Sequence, residues 1–257
     1  MFDAVILAGG LGTRLRSVVS DVPKCMAPVG GRPFLEWMLA WIEPFRPGKI
    51  VLSLGYLSEV VTGWVQTAMK DYPIPIEWVI EDTPLGTGGG IKLALSKVTA
   101  PQCVILNGDT FFDVDLNALC RQREQSAAAL AVALKPMERF ERYGSVTLGA
   151  DGRISSFNEK RYCERGLING GVYAIDCRAG LLDGKPQKFS FEKDVLEPGS
   201  ASGSLAGFIS RGSFIDIGIP EDYALAQTFL PANIKLLYLM IISWPDMTPC
   251  SLTVTGW

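Results

Sequence analysis

The chain has 257 residues, of which 48% are apolar and 20% charged, enough to bury a full core as one large α/β domain or as one domain with a small lobe. A formal net charge of −3 excludes the basic footprint of a nucleic-acid binder, so any nucleotide bound here is expected to be a small molecule. The absence of histidine excludes Ser-His-Asp and Cys-His nucleophile systems and any imidazole zinc site, leaving carboxylates, lysine, arginine and backbone dipoles as catalytic groups.

In chain order, "DAVILA" (3–8) reads as a buried parallel strand. The segment "MFDAVILAGG" carries no basic leader and too short an apolar run for export, so the expected location is the cytoplasm. Next come a helix in "RPFLEWMLAWI" (32–42), a strand in "KIVLSLG" (49–55), a helix in "LSEVVTGWVQTAM" (57–69) and a strand in "IEWVIED" (76–82). Glycine-rich "PLGTGGG" (84–90) is expected to open the helix "IKLALSKV" (91–98), before the strand "CVILNGD" (103–109). This alternation predicts a Rossmann-like, doubly wound and mostly parallel α/β sheet with its ligand outside the carboxyl ends of the strands, where the glycine-rich turns fall.

From about residue 127 the runs shorten: "AALAVALK", "YGSVTLG", "GRISSFNEK", "INGGVYAID" and "GSFIDIG". They predict a mixed or antiparallel extension of the same sheet, giving one domain over 1–230 with halves at about 1–126 and 127–230. Residues 231–257 form an atypical apolar tail, read either as a docked terminal helix or as a non-native end, and its apolar stretch is short for a membrane span. Six cysteines (Cys25, Cys103, Cys120, Cys163, Cys177, Cys250) at irregular spacing predict free thiols.

"LAGGLGTRLRSVVSDVPKCMAPVGG" (7–31) carries the glycines and cations of a phosphate loop, yet it contains no G-K-[ST], and Gly10-Leu11-Gly12-Thr13-Arg14-Leu15 ends in leucine where a dinucleotide fingerprint has glycine. What remains is a strand delivering Gly9, Gly10 and Gly12 into a tight turn where backbone N–H groups can approach an anion. Arg14 adds a forked cation, and Lys24, stiffened by Pro23, adds a point charge. A bare G-G-x-G is as readily an ordinary turn with surface cations; the longer spacing G-G-x-G-T-R-L followed by P-K is more specific. Asp109, closing a strand, and Asp216, between two isoleucines, could place hard oxygens at a metal, though either could instead be a turn or solvent-facing residue.

On these residues the chain resembles the sugar-1-phosphate nucleotidyltransferases, whose signature is G-G-x-G-T-R-L followed by P-K-x-M. The resemblance runs from about residue 3 to 229 through "PKCMAPVGGRPFLEW", "PLGTGGG", "LNGDTFFDVDL", "YGSV", "NEK", "INGGVY" and "FIDIGIPEDY". It implies an NTP and a sugar 1-phosphate as substrates, Mg²⁺ held by Asp109 and Asp216, and Arg14, Lys24 and Asp109 as catalytic residues. It also implies nucleotide contacts from Leu7, Gly9, Gly10, Gly12, Thr13 and Gly86, with Glu81 near the base as an acceptor for guanine, although a plain glycine-built turn accounts equally for that segment. Gly144, Glu159, Lys160 and Asn169 correspond to the sugar-phosphate pocket. Within the family, "PLGTGGGIK" and "FSFEKDVLE" resemble the branch that joins GTP to a D-glycero-α-D-manno-heptose 1-phosphate. Mannose 1-phosphate with GTP, glucose 1-phosphate with TTP, CTP or UTP, and a silent regulatory subunit remain alternatives. Homo-oligomers are common in the family.

Overall fold

The computed structural model describes residues 1–10 and 22–234. Its first strand, β1 (Asp3–Leu7), is an apolar run buried on both faces, as a central strand of a parallel sheet must be. A short 3₁₀ turn, Lys24–Met26, leads to a two-residue hairpin, β2 (Pro28–Val29) and β3 (Arg32–Pro33), which takes the residues expected to start the first helix. That helix, α1 (Phe34–Ile42), therefore begins after Pro33, whose fixed φ suits the entry. Then follow β4 (Ile50–Leu54), α2 (Ser58–Ala68), β5 (Ile76–Ile80), α3 (Gly86–Leu95), β6 (Gln102–Asn107), β7 (Thr110–Phe112) and α4 (Leu116–Gln125). The second half holds β8 (Leu130–Phe140), β9 (Gly144–Leu148), β10 (Ile154–Lys160) and β11 (Cys163–Asp176). A π turn, Glu192–Leu196, runs into α5 (Glu197–Ala201), before β12 (Leu205–Ile209), β13 (Phe214–Asp216) and α6 (Pro220–Asn233).

The main sheet runs β10-β9-β11-β6-β1-β4-β5, with β8 joined to β11 and β12 to β8. β1 is parallel to β4 and β6, and β4 to β5, while β11 runs antiparallel to β6. The chain leaves β1 outward through β4 and β5 and returns to β6 on the other side, so the strand order reverses beside β1, where open α/β sheets bind their ligands. β8 is antiparallel to β11 and β12 parallel to β8, making the extension mixed. Strand alternation divides the core: Ala4, Ile6, Leu52 and Leu106 face the layer of α1, α2 and α6, and Val5, Val51 and Ile105 face α3 and the π turn.

Helix α6 runs through Pro231 to Asn233 and docks on the β2–β3 hairpin, where Tyr223 Oη and Gln227 Nε2 both donate to the Pro28 carbonyl, at 2.6 and 3.0 Å. Residues 235–257, the rest of the tail, lie outside the described residues. The five described cysteines are all free, and no helix among the described residues is long and apolar enough to cross a membrane.

At the far end of the sheet, buried Arg123 of α4 donates to Asp176 Oδ2 at 2.9 Å and to Gln102 Oε1 at 3.0 Å. The Arg178 backbone N–H, the Arg178 side chain and Arg123 together hold the Asp176 carboxyl below its ordinary value, against the opposing effect of burial. Its folded pKa lies under its unfolded one, so the unfolded chain takes up the proton first. The stability it contributes is present above the ordinary carboxylate pKa and is lost as pH falls through the lowered one. Asp176→Asn is expected to flatten the acid side of a plot of denaturant midpoint against pH; an unchanged slope would refute the assignment.

Candidate active site

Above the carboxyl ends of β1, β4, β5 and β6 lies a cleft of about 650 Å³, walled by Leu7–Gly10, Ser53 and Gly55, Glu81–Pro84 and Asn107–Asp109. Six glycines (Gly9, Gly10, Gly55, Gly86, Gly90 and Gly108) stand in its wall, and at three of them the strand ends approach closely. Gly108 N–H donates to the Leu7 carbonyl at 2.9 Å, and a Cβ on Gly55 would stand 2.9 Å from the Gly9 carbonyl oxygen. Glu81 is clasped in this wall: Oε2 accepts the Leu85 N–H at 2.9 Å, and a Cβ on Gly90 would come to 2.7 Å from Oε1. Burial pushes the Glu81 carboxyl up, against the Leu85 hydrogen bond.

At one lip stand two carboxylates far apart in sequence. Asp109 follows β6, and Asp216 ends β13, whose antiparallel pairing with β7 sets Asp216 opposite Thr110. The Ile217 N–H donates to the Asp109 carbonyl at 3.0 Å and locks the two loops together. Lys24 lies between them, Nζ 2.6 Å from Asp109 Oδ2 and 3.8 Å from Asp216 Oδ1. Gly218 makes room for this ammonium, since a Cβ there would overlap Nζ, and its own N–H donates to Asp216 Oδ1 at 2.8 Å. Burial raises the Asp216 carboxyl, the Asp109 charge adds to the rise and Lys24 opposes it. Two hard-oxygen donors thus converge on one cation. Among the described residues no cluster of three or more metal-ligating side chains exists, so a metal here would draw its remaining ligands from water and phosphate, as Mg²⁺ ordinarily does.

Residues 3–233 match the family described as Nucleotidyl transferase. The chain belongs to that family. The nucleotidyl transferase is 45% identical over 225 residues to the D-glycero-alpha-D-manno-heptose 1-phosphate guanylyltransferase of Aneurinibacillus thermoaerophilus, covering 88% of this chain and 96% of that one. It is 39% identical over 221 residues to the enzyme of the same name from Campylobacter jejuni, covering 86% and 96%. Among solved structures, HddC from Yersinia pseudotuberculosis complexed with GMP-PN superposes with a TM-score of 0.78 at 38% identity, covering 88% of this chain and 98% of that one.

The nucleotidyl transferase brings Leu7, Gly9, Gly10, Lys24, Glu81, Gly86 and Asp109 to the one cleft, with Asp216 against Lys24. Gly12, Thr13 and Arg14 lie outside the described residues. Gly86 has φ +74°, and a Cβ there would stand 2.6 Å from the Phe189 carbonyl oxygen; Gly88 and Gly89 are likewise filled by the Phe189 ring and the Gln187 carbonyl. The glycine-rich segment expected to open the helix as a turn is itself helical from Gly86, in the first turns of α3, and close packing accounts for its glycines. Gly144, Glu159, Lys160 and Asn169 are not part of the cleft wall among the described residues. Gly144 pairs with Lys160 across β9 and β10, and Glu159 and Lys160 are exposed. Asn169 spans an irregularity of β11, accepting the Gly171 N–H at 3.0 Å and donating to Tyr173 Oη at 2.9 Å.

Sequence reading passed over Asn107, Thr87 and Glu192, which also wall the cleft, and Tyr143, edge-on to Phe214 at 5.8 Å. The Tyr143 phenol is pushed up by burial first and then by the charge of Asp216. "NGD" and "YGSV" adjoin residues that the sequence singled out, and Thr87 and Glu192 lie inside "PLGTGGGIK" and "FSFEKDVLE", which were quoted without a role for either residue.

Proposed function

We propose that this nucleotidyl transferase condenses GTP with D-glycero-α-D-manno-heptose 1-phosphate. A phosphate oxygen of the sugar 1-phosphate attacks the α-phosphorus, the bond to the β,γ unit breaks, and pyrophosphate leaves with GDP-heptose as product. The observation that carries the reading is the convergence of Asp109 and Asp216 on Lys24 at the lip of a glycine-walled cleft. Its substrates are supported by what the relatives are named for and by the nucleotide analogue in HddC.

A phosphomonoester has its second pKa at about 6 and is already anionic at neutral pH, so the reaction needs no general base. That suits a chain without histidine. Catalysis becomes positioning and neutralisation of crowded negative charge. Leu7, Gly9, Gly10, Gly12 and Thr13 are assigned to the nucleotide, Arg14 to bracing its phosphates, Lys24 to the reacting phosphate, and Glu81 with Gly86 to the base. Gly144, Glu159, Lys160 and Asn169 are assigned to the sugar phosphate, within a sugar half at about 127–230 that follows a nucleotide half at about 1–126. Asp109 and Asp216 would hold Mg²⁺, which when bound supplies charge neutralisation at the phosphates. Free cysteines support a cytoplasmic location.

The test is pyrophosphate release with Mg²⁺, crossing GTP, TTP, CTP and UTP against heptose, mannose and glucose 1-phosphates. Release is expected with GTP and the heptose phosphate. Release with another pair only would move the substrate assignment and keep the chemistry, and no release with any pair would overturn both.

A further inference from the structure

Glu192 stands at the cleft in a setting that neither the carboxylate pair nor the glycine wall accounts for. The segment before the π turn lies across the start of α3: the Phe189 N–H donates to the Leu85 carbonyl at 3.0 Å, and the Gly88 N–H to the Phe189 carbonyl at 3.1 Å. Phe191 N–H donates to Thr87 Oγ1 at 3.0 Å, which leaves the threonine proton to go to Glu192 Oε2, 2.7 Å away. Ser190 Oγ donates to the same Oε2 at 2.9 Å. One carboxylate oxygen is thus held by two hydroxyls, whereas Oε1 accepts from no side chain or backbone group among the described residues. Both Thr87 and Glu192 wall the cleft.

Glu192 is exposed, and an ionised carboxylate only accepts hydrogen bonds, so a ligand group that replaces water at Oε1 has to bring donors and is a neutral part of the ligand rather than a phosphate. Three such parts exist, the base, the ribose hydroxyls of the nucleotide and the hydroxyls of the sugar 1-phosphate. With Asn169 assigned to the sugar phosphate, the framework places Glu192 toward the sugar side, although its partner Thr87 adjoins Gly86, assigned to the base. Asn169 holds the hydroxyl of Tyr173, whose ring packs edge-on against Phe191 at 5.2 Å, and Glu192 follows directly. On the nucleotide side, next to Gly9, Glu81 already provides a carboxylate.

Resting on the reading of the chain as a sugar-1-phosphate nucleotidyltransferase, we infer that Glu192 is a specificity-determining residue whose free oxygen accepts hydroxyl protons of the sugar, with Thr87 and Ser190 fixing its rotamer. A site made to hydrogen-bond a hydroxyl discriminates strongly against an analogue that lacks it, because its own polar group is left unpaired. Discrimination among sugar 1-phosphates would then be set by a carboxylate carried on the segment that crosses α3.

The experiment compares wild type with Glu192→Gln, and with Thr87→Val as a second variant that leaves the carboxylate in place but frees its rotamer. Kinetics are read as KM for each substrate and kcat. Calorimetric titration of the heptose 1-phosphate, in the presence of a non-hydrolysable GTP analogue, reads binding without turnover. In Glu192→Gln the KM and Kd for the sugar 1-phosphate are expected to rise about tenfold or more, with the KM for GTP unchanged. Across a series of monodeoxy sugar 1-phosphates, the wild type should penalise the loss of one hydroxyl that the variant no longer distinguishes. Unchanged sugar affinity in a wild-type-like fold overturns the inference while leaving the reaction standing. A rise in the KM for GTP alone would assign Glu192 to the nucleotide, base or ribose, instead and also overturns it. A wild type that neither binds nor turns over any sugar 1-phosphate removes both the inference and the reading beneath it.

Discussion

Asp109→Asn is expected to lower kcat at least about a hundredfold, since removing one element of charge stabilisation at a reacting phosphate typically forfeits about 3 kcal/mol. The amide keeps the shape of the side chain, and the acceptor for Thr110 Oγ1, 3.1 Å from Asp109 Oδ1, survives. What disappears is the negative charge that faces Lys24 at 2.6 Å and shares one cation with Asp216. The Asp109 side chain is 38% exposed, so the fold should lose little and the thermal midpoint should stay near that of the wild type. Turnover under saturating substrates and Mg²⁺, measured beside circular dichroism, decides it. Full activity in a folded variant would remove Asp109 from the reaction.

Lys24→Ala should match that loss in turnover, again about a hundredfold, and differ from it in the effect on metal. The ammonium stands where a cation shared by the two carboxylates would stand. Without it, Asp109 and Asp216 face each other uncompensated, and the repulsion that already adds to burial in raising the Asp216 carboxyl grows. A divalent ion should then bind the substrate-free variant more tightly than it binds wild type, while Asp109→Asn binds it more weakly. Titration with Mn²⁺ read by paramagnetic resonance separates the two. Equal metal affinity in Lys24→Ala and wild type would show that lysine and metal do not share one place, and undiminished turnover would detach Lys24 from the reacting phosphate.

The central strands were legible because β1, β4 and β6 are buried on both faces and so are written as nearly continuous apolar runs, broken in β4 only by Ser53 and elsewhere by polar residues at the strand ends. Two segments were not. The glycines at 86–90 carry the poorest helix propensity short of proline, and "PLGTGGG" accordingly reads as a turn. They lie in α3 because Phe189 and Gln187 pack onto a helix face that admits no Cβ, a partner about a hundred residues away and invisible to any local window. Strand β12, "LAGFI", passed unnoticed since five residues around a glycine carry too little periodicity; it exists by pairing with β8. Asp109 and Asp216 each showed locally as an aspartate at a strand end, but their meeting depends on the β7–β13 pairing, which no spacing announces. Asn169 illustrates the opposite case: its amide is engaged with Tyr173 and Gly171, so a motif residue singled out for a ligand also has a full structural occupation.

The bare glycine face of α3 bears on how such an enzyme can change. Phe189 fits only where residues 86 and 88 lack side chains, and Gln187 only where residue 89 does, and those residues belong to the segment that walls the cleft. Residues 86–89 and 187–189 therefore meet through a lock whose parts are encoded far apart. A chimera exchanging everything after residue 127 with a relative would inherit one side of the lock without the other. Any bulkier residue at 88 demands a smaller one at 189 in the same step. Change at either stretch is thereby coupled to change at the other, and exchange of one without its partner breaks the lock.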